Sequence, residues 1–399
     1  MVMRINDLAG HCRREYEAHL ASLACGCKVS KNSGMRDERW IRPPWDQRPE
    51  VRSPVGRPIA ELLEEGPQRQ PLAGFEPVYR DFVDYIVRCT HRIWEEKNVG
   101  LCRTHYAPDC QLWTLAGPVV GAEAVVQNTI GALAANSDRV VVAEDVIWSE
   151  EGPGLFYSSH RITSWSTHLG DDPVQGLATA LPTGATTIAD CLCEGNRIIE
   201  EWLVRDNLRA VWQLGGDPHA LAAAQADADR EGDPERHSWR SEMLSAARSG
   251  AGRVEVPSDH PASVAIQAFD LAFSHDLYGE AAKLFSETAE VRWPAGRRGY
   301  GRGYWIGCLM QLRQALHEVS FLPQHVAARS LPNGDTAVAL RWTLAGRHLG
   351  AGVWGPPSGR DILIMAVSHL RIRDGRIVED ISVFDELAVL RQTLGGLGA

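Results

Sequence analysis

The chain has 399 residues, of which 44% are hydrophobic and 23% charged, and its formal net charge is −10. That length predicts about two to three domains of ordinary globular composition. The acidic balance argues against a nucleic-acid or anionic-membrane surface, and no apolar run approaches the roughly 20 residues that span a bilayer.

Met1 to Leu20 is charged and lacks the apolar core of a signal peptide, so a cytoplasmic location is expected. The nine cysteines are odd in number and scattered, as in a reduced protein. Cys25-Gly26-Cys27 and Cys191-Leu192-Cys193 are the close pairs. Neither has a second pair at ligand spacing, so no metal site is expected.

Residues 1–74 read as a Pro/Arg-rich arm. Arg4 to Leu23 has a helical pattern, and Pro43, Pro44, Pro49, Pro54 and Pro58 then favour extended chain around Trp40 and Trp45. From Pro77 to His105 the apolar residues Val78, Phe82, Tyr85, Ile86, Cys89 and Ile93 keep helical spacing, and Tyr106-Ala107-Pro108-Asp109 stops that helix. A strand around Cys110 to Leu115 and a helix over Gly121 to Ala135 follow. Strands are then predicted at Val140–Trp148, Leu155–His168, Thr186–Cys193 and Arg197–Arg205. Helices first and a meandering sheet afterwards indicate an α+β fold. Residues 219–260 read as a helical or irregular linker whose Trp239 is docked.

The first pattern then returns over 261–399. Trp113 and Trp293, Gly121 and Gly301, Arg161 and Arg341, Thr163 and Thr343, and His168 and His348 are all 180 positions apart (293 against 113, for instance), and Asp206 and Asp385 are 179 apart. One offset held over so many positions indicates a duplicated domain, with copies over 75–218 and 261–399.

Each copy ends in a hairpin, Asp190 to Asp206 in one and His369 to Asp385 in the other. Strict alternation puts Ile198, Glu200, Trp202, Val204 and Asp206 on one face and Ile199, Glu201, Leu203 and Arg205 on the other. The second hairpin splits the same way, with Ile377, Glu379, Ile381, Val383 and Asp385 against Val378, Asp380, Ser382 and Phe384. The first face is apolar apart from two recurring acids. A buried carboxylate has a raised pKa and suits general acid/base work near neutral pH. A turn centred on Gly195 sets Asp190 opposite Glu200, and the same register sets His369 opposite Glu379. Arg161 and Arg341 are the natural partners of Glu200 and Glu379. Trp113, Trp293 and Trp202 read as pocket wall, and His160 as a pocket residue. Asp206 and Asp385 also precede plausible first turns, so both read equally as helix N-caps.

The series helix, Tyr106-Ala107-Pro108-Asp109, Gly121-led helix and strand meander, ending in Gly-Asn-Arg-Ile-Ile-Glu-Glu-Trp-x-x-x-Asp, resembles the SnoaL-like polyketide-cyclase family of the nuclear-transport-factor-2-like superfamily. The likeness is closer over Phe75 to Pro218 than over Pro261 to Gly396. It implies two tandem cones, each a curved sheet wrapped around helices with a pocket at its open end, joined as an internal pseudo-dimer; further homodimerisation stays open. In that family an Asp near the end of the last strand is the general acid/base, assisted by a His on the preceding strand. Those positions are Asp206 and Asp385, with His369 in the second copy and Asp190 in its place in the first. The second copy, with His369, Glu379 and Asp385, carries the fuller residue set.

The expected activity is therefore cofactor-independent proton transfer beside a carbonyl of a small organic molecule, of cyclase, isomerase or lyase type. No Gly-rich phosphate loop, nucleophile elbow or dinucleotide fingerprint is evident, so no cofactor is inferred. One alternative is epoxide-hydrolase-like or dehydratase water chemistry on Arg161, Asp190 and Asp206. Another is a module that binds a ligand or a protein without turnover.

Overall fold

The computed structural model describes Val51, residues 53–230 and residues 234–397. The helix expected at Arg4–Leu23, and Trp40 and Trp45, lie outside them.

Residues 53–74 pack on the first copy through a short helix, α1 (Ile59–Leu62), with Leu62 and Leu72 in its core. Asp81 then accepts a hydrogen bond from the Asp84 amide (2.8 Å) and caps α2 (Phe82–Trp94), whose face of Phe82, Tyr85, Ile86 and Cys89 is buried. The expected helix over 77–105 is therefore shorter. Lys97 takes a positive φ of 63° and breaks it, and the chain restarts as a 3₁₀ turn and α3 (Cys102–His105).

The first sheet comprises β1 (Tyr106–Thr114), β2 (Gly117–Val120), β3 (Val140–Gly152), β4 (Leu155–Thr167), β5 (Pro182–Glu194) and β6 (Arg197–Arg205). Helix α4 (Ala122–Ala135) lies between β2 and β3, and α5 (Asn207–Gln213) follows β6. Strand order is β2-β1-β6-β5-β4-β3, with β1 and β6 parallel and the other neighbours antiparallel.

Two helices then form the connection, α6 (Pro218–Arg230) and α7 (Pro234–Ser249). The second copy repeats the plan: α8 (Ser263–Phe273), α9 (Tyr278–Lys283), β7 (Phe285–Trp293), β8 (Arg297–Tyr300), α10 (Arg302–Ala315), β9 (Leu316–Ser330), β10 (Thr336–His348), β11 (Asp361–Arg373), β12 (Arg376–Phe384) and α11 (Glu386–Thr393). Its sheet order, β8-β7-β12-β11-β10-β9, is that of the first. The fold is α+β in two tandem domains. Gly121 and Gly301 mark the repeat: each starts a helix with φ near 88° and 85°, and a Cβ would approach the Pro108 carbonyl oxygen to 3.0 Å or that of Glu287 to 2.8 Å.

One face of each sheet is covered by its own helices. Phe82 packs on Phe156 and Trp148 in the first copy, and Phe269 and Phe273 pack on Phe321 and Trp342 in the second. The other faces pack on each other, with Ile147 and Tyr157 of one sheet against Ala327, Ala337 and Ala339 of the other. The pseudo-dimer is thus built face to face.

Helix α7 braces this arrangement, touching β2 of the first sheet and β9, β10 and β11 of the second. Trp239 docks as expected, but its partner is Trp113, stacked at 5.9 Å with planes 11° apart. Trp239→Ala should cost about 3–5 kcal/mol of stability. A double-mutant cycle with Trp113→Ala in urea melts should give a coupling of about 1 kcal/mol. A coupling near zero would show that the stack is incidental.

Candidate functional site

Which hairpin residues face the helices is decided by one residue. In the first copy Cys193 pairs with Ile198, but Leu192 pairs with Glu200, so Ile199 is an extra residue on β6. In the second, Ile372 pairs with Ile377 and Arg371 with Glu379, leaving Val378 extra. A bulge flips every later side chain to the other face. The alternation expected from sequence therefore holds only up to Ile198 and Ile377. Beyond the bulge Glu201 and Asp380, not Glu200 and Glu379, turn toward the helices; Glu201 is 5% exposed and Asp380 fully buried.

The same bulge moves the strand partners by one residue, and the two-residue turns between Glu194 and Arg197 and between Arg373 and Arg376 move them by one more. Asp190 stands opposite Trp202 and His369 opposite Ile381, two residues on from the expected Glu200 and Glu379. Glu379 instead pairs with its cross-strand neighbour Arg371. Arg161 pairs with Glu144 at 3.0 Å.

Trp113 and Trp293 are not equivalent. The turn after β7 holds one more residue than the turn after β1, so Trp113, level with Trp202, corresponds to Arg292, level with Ile381. Trp113 points away from the helices toward Trp239, whereas Trp293 points among them and donates to Asp380 at 3.0 Å. Asp380 also accepts from Ser382 at 2.6 Å, and burial lifts its carboxyl to about 6.

Asp190, His369, Arg161, Arg341 and Trp202 lie on the faces between the sheets. Ser159 Oγ sits 2.5 Å from Asp190 and 2.8 Å from His369 Nε2, so it links the two sheets. Tyr157 donates to the other Asp190 oxygen. The Arg341 guanidinium stacks 3.5 Å over the Trp202 ring and comes within 4.0 Å of Asp190. Burial raises the Asp190 pKa and holds that of His369 well below its usual value, the latter helped by the Arg161 charge. Trp202 is accordingly interface rather than pocket wall, and Arg161 and Asp190 do not share a site with Asp206.

Asp206 and Asp385 both cap helices. Asp206 Oδ1 accepts from the amides of Arg209 (3.3 Å) and, across the copies, Ala295 (2.9 Å). Asp385 accepts from the Ala388 amide (3.1 Å) and from Asn207 Nδ2 of the first copy (2.6 Å). Neither lines the cavity described next. Burial lifts both carboxyls to about 6.

A cavity of about 650 Å³ lies in the first copy, between β-strands and helices α2 and α4. Its size is that of an ordinary small-molecule site. Glu201 and His160 line it, with Tyr106, Arg139 and Arg205. The Tyr106 hydroxyl donates to Glu201 Oε2 at 2.9 Å. Burial raises the Glu201 pKa, an effect that outweighs the Tyr106 bond and the Arg205 charge. Tyr106 stays protonated, since burial lifts its phenol well above the usual value. His160 is 2% exposed, its Nε2 has no partner, and burial lowers it to about 3, so the ring is neutral.

Of the site residues expected from sequence, His160 lies on this wall; Glu201, Tyr106, Arg139 and Arg205 were not among those expected. The cavity is completed from outside its own copy by Gln225 and Ala228 of α6 and by Arg391 of α11. Asp229 holds Arg391 at 2.5 Å.

The second copy fills the same rows. Ile162, Thr187 and Arg205 lie level across β4, β5 and β6, and their counterparts across β10, β11 and β12 are Trp342, Ala366 and Phe384. Trp342 and Phe384 are fully buried, and Trp342 packs on Phe269, Phe273 and Phe321. The copy richer in expected site residues is thus the one whose centre is packed with aromatic rings.

Residues 264–393 match the family model described as SnoaL-like polyketide cyclase. The match falls on the second copy, whereas the resemblance read from the sequence is closer over the first. No curated protein matches the chain. Among solved structures, IdmH from Streptomyces antibioticus, a proposed polyketide cyclase, is 23% identical, covering 33% of this chain and 97% of its own, with a TM-score of 0.29. AclR from Streptomyces galilaeus, a proposed hydroxylase, is 18% identical over 33% of this chain and 92% of its own, with a TM-score of 0.28. TsrD from Streptomyces laurentii is 16% identical over 35% of this chain and 99% of its own, with a TM-score of 0.30.

The cap at Asp206 has a pH signature. A folded carboxyl raised from 3.8 to about 6 contributes stability below pH 4 that is lost as pH rises through 6. Asp206→Asn keeps an acceptor for both amides and removes the titration. Its stability relative to wild type, from urea melts, should improve by on the order of 3 kcal/mol between pH 4 and pH 7. A difference independent of pH would show that Asp206 is ionised without cost.

Proposed function

We propose that the chain is a cofactor-independent enzyme of cyclase or isomerase type, working in the cavity of the first copy with Glu201 as its proton-transferring group. The observation that carries this reading is the buried Glu201 carboxyl, raised in pKa and held by Tyr106 on the wall of a small-molecule cavity. The SnoaL-like match of the second copy supports the enzyme class.

In the proposed step the C–H bond beside a substrate carbonyl breaks. The proton passes to the Glu201 carboxylate and the electron pair moves onto the carbonyl oxygen as an enolate. Returning the proton to a different atom completes an isomerisation; attack of the enolate carbon on a second carbonyl closes a ring, and the alkoxide so formed takes the proton back from Glu201. Tyr106, always protonated, fixes the rotamer of the carboxylate and donates to its charged form. The apolar wall raises the basicity of Glu201, which strengthens it as a base at neutral pH. His160, neutral throughout, is a hydrogen-bonding wall group rather than an acid.

The expected Asp206 and Asp385 chemistry gives way to Glu201 here because both aspartates lie off the cavity wall and cap helices, Asp206 through Oδ1 and Asp385 through Oδ1 with Oδ2 held by Asn207.

The test is α-proton exchange of 2-tetralone in D₂O, followed by NMR. Wild type should accelerate exchange, and Glu201→Gln should lower the rate by about 10²–10⁴-fold. The acid limb of the wild-type profile should lie above the ordinary glutamate pKa of 4.5, because an ionised base is required and burial raises its pKa. Exchange unaffected by Glu201→Gln would sink the proposal. Binding without exchange would be the behaviour of a binding module.

A further inference from the structure

Arg139 and Arg205 both line the cavity, and the Arg205 charge acts on Arg139. Among the described residues neither guanidinium has a carboxylate within 4.0 Å. The Arg139 group lies 5.0 Å over the Trp94 ring, and its buried Nε has no hydrogen-bond partner. Arg391, the third arginine on the wall, is committed to Asp229. Asp172 is the acid that acts on both guanidiniums, yet its Oδ1 is occupied by the amides of Val174 (2.7 Å) and Gln175 (2.9 Å). Glu201 and Asp385 act on Arg205 only, and each is already hydrogen-bonded elsewhere.

Two desolvated cations on one cavity wall, with no acid in contact, repel and lack hydrogen-bond acceptors. Burial and the neighbouring charge lower Arg139 to about 10, so it is still charged at neutral pH. A planar carboxylate offers two acceptors to such forks and neutralises one unit of their charge. The rest of the wall is largely apolar, with Ile93, Leu112, Val125, Ile162 and Leu203. In the second copy the position of Arg205 is Phe384, so the charge belongs to the open copy alone.

We propose that the cavity takes an organic acid, a small molecule with an apolar body and one carboxylate held by Arg139 and Arg205. This rests on the cavity being a substrate site, and it names the substrate class. The carboxylate would anchor the molecule at the arginines while its body lies along the apolar wall toward Glu201.

The experiment compares 2-naphthoate with its neutral near-isostere 2-naphthamide, titrated calorimetrically into the full chain. Naphthoate should bind at least about tenfold more tightly. Arg205→Gln and Arg139→Gln should each weaken naphthoate by about tenfold and leave naphthamide unchanged, with Arg205→Lys in between. Raising sodium chloride on wild type alone should weaken naphthoate and spare naphthamide, which secures the result should a variant misfold. Equal binding of the two ligands, no binding of naphthoate, or naphthoate affinity indifferent to both substitutions and to salt overturns the proposal. Glu201→Gln should retain naphthoate binding. Failure of the anion test therefore leaves the exchange test of Glu201 standing, and the reverse also holds.

Discussion

The structure depends on the contact between its two sheets. At its centre Ser159 bridges Asp190 of one sheet and His369 of the other, and Arg341 stacks on Trp202 and approaches Asp190. Asp190 is fully buried and His369 2% exposed. Such groups are tolerated only when paired, and removing one partner would leave the rest unsatisfied at a cost of about 1–3 kcal/mol each. Asp190 and His369 hold the same place in the repeat. In a dimer of identical copies that place would bring two like groups together across the axis. Duplication within one chain lets the two positions diverge into an acid and a base, so their difference is the mark of an interface rather than of two active sites.

The same contact frees the opposite faces to differ. The helix-covered side of the second sheet is filled by Trp342, Phe384 and the phenylalanines around them, while the first keeps Ile162, Thr187 and Arg205 in those rows and encloses a cavity. A tightly packed second copy is a rigid support: it supplies the amide of Ala295 to Asp206 and the side chain of Arg391 to the cavity wall. Asp229 ties Arg391 to the connecting helix α6, so the connection itself becomes part of the cavity wall. One half keeps a cavity and the other braces it.

Much of this was legible in the chain. Constant spacing of Gly121 and Gly301, Arg161 and Arg341, and Thr163 and Thr343 revealed the duplication, because both copies need the same glycine start and the same strand faces. Hydrophobic periodicity placed the helices and the long strands. Local pattern alone marks Trp239 for docking, and Trp239 stacks on Trp113. What failed was parity. Ile199 and Val378 are apolar residues in apolar strands, and nothing in their chemistry announces that each is skipped by its neighbour strand. One skipped residue exchanged Glu200 for Glu201 and Glu379 for Asp380.

The sequence by itself determined the α+β class, the tandem repeat and the set of acids from which a site could be drawn, since these follow from spacing and composition along one chain. Tertiary structure alone decided which acids meet the cavity, which copy is open and why Asp190 stands where the other copy has His369. Those outcomes depend on bulges, on the facing of two sheets and on side chains from distant segments sharing one space. Such contacts are set by the whole packed chain, and no local pattern encodes them.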